Sequence, residues 1–290
     1  MDIKKIKNQI EIEEKVIGYD GEYKVVPVQE VYEEEKKNQK PTFFGTGIAC
    51  IDEFVGGFKK GQLIVITGIA KRGKTTFAKT ITKNNSDKVK MLWFSFEEEI
   101  FEFYQDIDPA DFYVPKKMKY KDIGWVEERI MESKIKYGTE VVFIDHLHYL
   151  FNLTSTGQNV TLLIGDLMRT LKRIAVENGL TIFVLAHTKK IEGNRIPRAE
   201  DVRDSALIAN ECDKMFVVHR DRTDGEMGMS SMSDETKIVI ELDRQNGKSM
   251  GMILKLDFEN NLLVDQKNGT APTKPIKPKK DTLQEGGNLW

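Results

Sequence analysis

Cysteine is almost missing from this chain. Cys50 and Cys212 are the only two in 290 residues, and their wide separation fits neither a metal knuckle nor a disulfide framework. Both read as packing residues of a protein kept reduced. Long apolar runs are also lacking: nothing approaches the roughly 20 residues needed to span a bilayer. The N-terminal stretch MDIKKIKNQIEIEEK contains no apolar core of signal-peptide length. The expectation is a soluble, cytoplasmic protein. Nor does either charge dominate, since 44 Lys and Arg stand against 46 Asp and Glu for a net charge of −2. Any contact with nucleic acid must then come from local basic loops rather than a global field.

What is present is an alternation. Between residues 43 and 265, short runs rich in Val, Ile and Phe alternate with helical patterns: QLIVITG, KMLWFSFE, EVVFIDH, TIFVLAH, KMFVVHR, TKIVIEL and GMILKLDF. Runs apolar on both faces point to a largely parallel sheet covered by helices, an α/β domain. The clearest helix lies in TLLIGDLMRTLKRIAVENG, where Leu163, Leu167, Leu171, Ile174 and Ala175 recur at helical spacing and Asn178-Gly179 supplies a stop. Arg169, Lys172 and Arg173 on its other face read as solvated charges.

The flanks differ in character. Residues 1–42 are highly charged, with a strand-like YKVVPVQ and then VQEVYEEEKKNQK, in which Val28, Val31 and Tyr32 share one helical face. So short a stripe cannot form a core alone and is expected to dock on its own domain or a neighbouring subunit. Residues 266–290 combine Pro, Lys and Gly with few aliphatics and read as a disordered tail.

The sharpest local signal is GIAKRGKT, residues 68–75, set between LIVIT and TFAKTITK. Gly68, Gly73, Lys74 and Thr75 occupy the fixed places of G-x-x-x-x-G-K-[ST], directly after a strand and before a helix. Glycines let backbone amides of Gly68, Ile69, Ala70, Lys71, Arg72 and Gly73 wrap a phosphate, and the helix adds the positive end of its dipole. Lys74 can reach the outer phosphates of a bound polyphosphate and the Thr75 hydroxyl can ligate Mg2+; the turn reads as a polyphosphate cradle. Thr76, next in line, reads as a capping or packing residue at the margin of the cradle.

Hydrolysis needs more than a cradle. Asp145 ends EVVFID where a carboxylate would reach the magnesium shell, and Glu97 ends KMLWFSFE where it could polarise a water. Glu98 and Glu99 read as acidic residues opening a helix. His187, at the end of TIFVLA, would emerge on the same rim and sense the terminal phosphate. His146 and His148 stand two apart in IDHLHYL, with no Cys or carboxylate partner at metal spacing, so a zinc site is not expected there.

These motifs, in this order, resemble the RecA-type ATPase core of replicative hexameric DNA helicases, the DnaB-like family with its phage and mitochondrial relatives. The resemblance runs through FGTGIACIDEFVGGFKKGQLIVITGIAKRGKTTFAK, WFSFEEE, VVFIDHLHYL, VLAHTKK, RAEDVRDSALIANECDKMFVVHRDR and IELDRQNGKSMGMILKLDF, roughly residues 28–265. It implies Lys74 and Thr75 as phosphate and magnesium contacts, Glu97 as base, Asp145 as magnesium partner and His187 as phosphate sensor. Arg244 falls where the family places an arginine that reaches a neighbouring subunit's nucleotide. Two residues before it the family usually has lysine and this chain has Leu242. The resemblance further implies a homohexamer, 5′ to 3′ movement on single-stranded DNA, a linker helix in VQEVYEEEKK, and a primase, polymerase or helicase loader as partner. It suggests a compact version without primase or collar modules, in a bacterium or a virus-infected host.

Two loops would face such a ring's channel: FNLTSTGQN at 151–159, and TKKIEGNRIPRAED at 188–201, which carries Lys189, Lys190, Arg195 and Arg198. Local cations of that kind suit phosphate tracking with little base preference. A strand-exchange or clock-type ATPase of the RecA class would share the cradle, Glu97 and Asp145, while a non-unwinding loader or regulatory module would use nucleotide only to set its assembly; both readings stay open.

Overall fold

The computed structural model describes residues 11–21, 24–38, 44–105, 107, 110–150, 160–189, 191, 195–202, 205–224, 230–247 and 249–265. The chain divides into two compact units, Met1–Pro41 and Thr42–Trp290. In the first, residues 11–17 form a helix, α1, that the sequence pattern did not announce. A second helix, α2, spans Val28–Asn38 and leaves Val28, Val31 and Tyr32 exposed at 83%, 46% and 60%. The strand-like reading of YKVVPVQ is corrected: residues 24–27 are irregular and Val25 is fully exposed. Pro27 has no amide hydrogen for a ladder and serves instead as the residue before a helix start.

The second unit is built on one eight-stranded sheet in the order β2-β3-β4-β1-β5-β6-β7-β8. Strands β1 (Leu63–Gly68), β2 (Met91–Ser95) and β3 (Val141–Asp145) are buried throughout, and β4 (Thr181–His187) is buried up to its last residue. They pair in parallel with one another, and β1 pairs in parallel with β5 (Lys214–Asp224). Both faces carry core. Ile64 and Ile66 pack on one side with Phe77 and Ile81, while Leu63 and Val65 pack on the other with Leu171 and Ile174. Such double-sided burial is why these strands are apolar runs rather than alternations.

Among the described residues, six α-helices accompany this sheet: α3 (Ala49–Val55), α4 (Lys74–Asn85), α5 (Ile100–Gln105), α6 (Ile123–Tyr137), α7 (Val160–Asn178) and α8 (Ser205–Glu211). Asp122 caps α6 by accepting from the Trp125 amide at 2.9 Å, and Gly138, at φ 72°, ends it in the left-handed conformation. In α7 the buried stripe is Ile164, Leu167, Met168, Leu171, Ile174 and Ala175, with Leu163 only half-buried. Its expected stop holds, since Gly179 takes φ 59°. Lys172 is more than a solvated charge: its amine donates to Asp213 at 2.6 Å and to the Gly61 carbonyl at 2.8 Å. Arg169 and Arg173 pair with Asp166, Glu211, Glu127 and Glu177 at the surface.

Registration along the parallel strands aligns their interior. Trp93, Phe143 and Phe183 are direct neighbours on β2, β3 and β4 and stack at 4.5 and 4.6 Å, nearly coplanar at 9° and 11°. Offset ring contacts add about 0.5–1.5 kcal/mol each beyond burial. The same register brings Gly68 beside His187 and Ser95 beside Asp145, so four strand ends share one edge.

The other half of the sheet is antiparallel. β6 (Ser230–Asp243), β7 (Met250–Asp257) and β8 (Leu262–Asp265) run as a meander after β5. Burial in the middle of β7 alternates, as expected with one face toward water. β8, unannounced by any long apolar run, is tied to α4 because the Leu263 amide donates to the Thr80 hydroxyl at 3.0 Å. Where β5 meets β6, Lys214 and Asp243 form an ion pair at 2.8 Å with neither side chain exposed.

Candidate functional site

The turn from Gly68 to Gly73 joins the end of β1 to the start of α4. Gly68 has φ 153° and Gly73 φ 96°, and a Cβ at Gly68 would collide with the Val218 carbonyl oxygen of β5. Only glycine fits there. Lys71 is also left-handed, at φ 60°, and is exposed together with Ala70, while Ile69, Arg72 and Thr76 are half-buried. The Arg72 guanidinium donates to the Arg220 carbonyl, a second tie between the turn and β5. No side chain caps the α4 N-terminus, whose first amides are therefore available to an anion. The Thr76 carbonyl accepts from Thr80 Oγ1 at 2.8 Å.

Lys74 lies 5% exposed, its amine 3.3 Å from the Gly68 carbonyl and 3.2 Å from the Ile69 carbonyl. Burial pulls its pKa down from 10.5 to about 8, against the upward pull of Asp145 and Glu97 through space. Thr75 Oγ1 donates to Asp145 Oδ2 at 2.9 Å. A hydroxyl and a carboxylate in contact beside an uncapped helix start and a buried amine fit the polyphosphate and Mg2+ that the sequence called for.

The neighbouring strand ends complete the constellation. β3 lies between β2 and β4, so Glu97, two residues past β2, and His187, closing β4, flank Asp145 and His146. Glu97 Oε1 stands 3.5 Å from His187 Nε2. That contact, with weaker help from His146 and Lys74, holds the Glu97 carboxyl below its usual range despite partial burial. His146 is 1% exposed, and its ring centroid sits 3.7 Å from that of His187 and 5.2 Å from that of His148. Burial, chiefly, pushes its pKa down. One potential ligand atom from each of Glu97, His146 and His187 lies within 4.8 Å of the others. The sequence shows no carboxylate partner at metal spacing for the IDHLHYL histidines; in the fold His146 has one, Glu97, with a ligand atom within 4.8 Å. Its neighbours come from adjacent strands, not from local spacing.

The remaining residues fall elsewhere. Glu98 pairs with the 3%-exposed Lys79 at 2.8 Å, a fixed structural contact just ahead of α5. Arg244 follows Asp243 at the end of β6, beside the start of β5 and so at the far edge of the parallel strands. Its guanidinium donates to the Asn210 carbonyl. Of the loop cations, Lys189 and Arg198 are exposed, whereas Arg195 is held bidentately by Asp201 at 2.6 and 2.6 Å. Lys190 and the whole of FNLTSTGQN lie outside the described residues. Among the described residues no helix is long and apolar enough to cross a membrane.

Residues 44–106 and 98–263 match a family model described as the DnaB-like helicase C-terminal domain. A probable replicative DNA helicase of Trieres chinensis is 25% identical over 263 residues, covering 76% of this chain and 57% of that protein. This chain thus spans little more than half the length of that relative. Among solved structures, an isolated ATPase domain superposes with a TM-score of 0.66 at 20% identity, over 82% of this chain and 97% of the other. A DnaB-like replicative helicase, solved to show its interactions with primase, gives 0.65 at 21% identity, over 90% and 71%. The fold is the RecA-like α/β ATPase architecture.

Proposed function

This chain belongs to the DnaB-like helicase C-terminal domain family, and on that premise we propose that it is the ATP-hydrolysing motor of a replicative DNA helicase. One observation carries the reading. The Lys74 amine is buried against carbonyl oxygens in a turn that ends on an uncapped helix, within electrostatic reach of an ionised carboxylate, Glu97. An amine so placed is stabilised by an incoming polyphosphate.

In this reading the turn amides and Lys74 hold the outer phosphates. Thr75 and Asp145 would hold Mg2+, which when bound supplies charge neutralisation to the phosphate oxygens. Glu97, kept ionised by His187, accepts a proton from the attacking water. His187 fixes the direction of that carboxylate and reports whether the terminal phosphate is present. Arg244, remote from its own chain's turn, serves a neighbouring subunit, where a cation delivered in trans stabilises developing charge.

That assignment requires an assembly, and a homohexameric ring closed by α2 through Val28, Val31 and Tyr32 supplies one. Lys189, Lys190, Arg195 and Arg198 track the phosphates of single-stranded DNA moving 5′ to 3′, Arg195 after exchanging Asp201 for the backbone. A primase, polymerase or loader is the class of partner such a ring serves. The deciding experiment combines forked-duplex unwinding with single-strand-stimulated ATP hydrolysis by the full chain. Both activities are expected. Hydrolysis without fork opening favours a loader or recombinase, and no hydrolysis at all removes the motor reading.

A further inference from the structure

We propose that Glu97, His146 and His187 form a second metal site, separate from the Thr75–Asp145 pair, that takes a zinc-class divalent ion in the nucleotide-free protein and holds the motor off. Sheet order creates it. β3 lies between β2 and β4, so three consecutive strand ends deliver two imidazoles and one carboxylate whose ligand atoms lie within 4.8 Å of one another.

His146 is the telling member. It is 1% exposed, yet neither ring nitrogen makes a hydrogen bond. Its nearest charged neighbour, Asp145 Oδ1, stands 3.6 Å from Nδ1, beyond hydrogen-bond length. Buried polar atoms left unsatisfied cost about 1–3 kcal/mol each. A metal ion would take the lone pair of one His146 nitrogen, which no donor of the protein meets.

The donor set selects the ion. Two imidazoles and one carboxylate suit Zn2+ and its first-row neighbours, whereas Mg2+ prefers oxygen and retains its waters. Tetrahedral bonds of about 2.0–2.2 Å separate ligand atoms by about 3.4 Å. Glu97 and His187, at 3.5 Å, already stand at that spacing, and no pair, being within 4.8 Å, needs closing by more than about 1.4 Å, within the reach of side-chain rotation. Entry is from solvent, since the Glu97 and His187 side chains are 38% and 31% exposed. Three protein ligands leave a fourth position to water.

The consequence for turnover rests on the ATPase reading above; the binding itself does not. A carboxylate bound to a divalent cation is a far weaker proton acceptor, so an ion here suppresses the base.

Cobalt(II) tests this, because its visible d–d bands intensify in tetrahedral sites. Titration of the untagged full chain, free of nucleotide, is expected to give one intense tetrahedral spectrum per chain, displaced by Zn2+. No thiolate charge-transfer band should accompany it. Glu97→Gln and His187→Gln, both at half-exposed positions that tolerate change, should each weaken binding by about tenfold or more. His146→Ala should do the same and is read only if its circular dichroism matches the parent. A spectrum that is weak and octahedral, or equal in parent and variants, overturns the site. Zn2+ should also stop ATP turnover, with recovery on chelation. Tight binding with undiminished turnover overturns the inhibitory half. Absent turnover without zinc is a failure of the ATPase reading, and the cobalt spectra still decide the site.

Discussion

Two lysines are buried at opposite ends of the same parallel strands, and the fold treats them differently. Lys214, at the start of β5, is 0% exposed and meets Asp243, equally buried, at 2.8 Å. Lys74, just past the end of β1, is 5% exposed and meets carbonyl oxygens alone, at 3.2 and 3.3 Å. A third, Lys79, follows Lys214: it is 3% exposed, pairs with Glu98 and lies 4.4 Å over the Phe103 ring. Buried cations with a built-in counter-ion are complete and serve the fold. Lys74 lacks one at contact distance, and this incompleteness is what the proposed function uses.

Substitution should separate the two kinds sharply. Lys74→Ala and Glu97→Gln should each reduce ATP turnover by about 10²–10³-fold or more, the first with loss of nucleotide binding and the second with binding intact. Steady-state kinetics beside fluorescent-nucleotide titration checks both. Lys74→Ala should unfold no earlier than the parent on heating, because it removes a buried amine without a counter-ion.

Lys214→Met is the mirror experiment. It strands Asp243 in the interior and should cost about 3–5 kcal/mol in denaturant unfolding. Replacing both partners, Lys214→Met with Asp243→Leu, should recover most of that loss. If the double variant were no more stable than the single one, the pair would be doing something other than neutralising itself.

Smaller effects refine the contrast. With the Lys74 pKa near 8 in the free protein, the amine is charged below that pH and increasingly neutral above it. A bound polyphosphate restores the charge, so binding above pH 8 must draw in a proton. Affinity should fall by up to about tenfold per pH unit from about 8 toward 10.5. Calorimetry at pH 9 in two buffers of different ionisation enthalpy should give different heats, while at about pH 6.5 the Lys74 contribution should vanish. Smallest of all, mixing Arg244→Ala with Glu97→Gln should return a fraction of the lost turnover at hybrid interfaces. An activity no higher than the sum of the separate variants, at every ratio, removes the role in trans.

Local chemistry made part of this legible. The Gly68–Thr75 turn could be read because each requirement, a glycine conformation, an amine and a hydroxyl, lies within eight consecutive residues. The buried strands could be read because double-sided burial leaves an apolar run. Long-range pairing hid the rest. Nothing near His146 in the sequence points to Glu97 or His187; only the order β2-β3-β4 brings them together. Asp201 similarly claims Arg195 across a loop, and Asp213 claims Lys172 from another element. YKVVPVQ misled because residue type suggested a strand while Pro27 denied it a ladder. The short β8 had too few residues to declare itself.

The phosphate turn leans on β5 through main-chain oxygens, those of Val218 and Arg220. Replacing the side chains at 218 and 220 leaves both carbonyls in place, so the linkage is insensitive to most point substitutions. A single-residue insertion or deletion within β5 is another matter. It would turn each later carbonyl toward the opposite side, parting the turn from its support while every residue named at the strand ends remained intact.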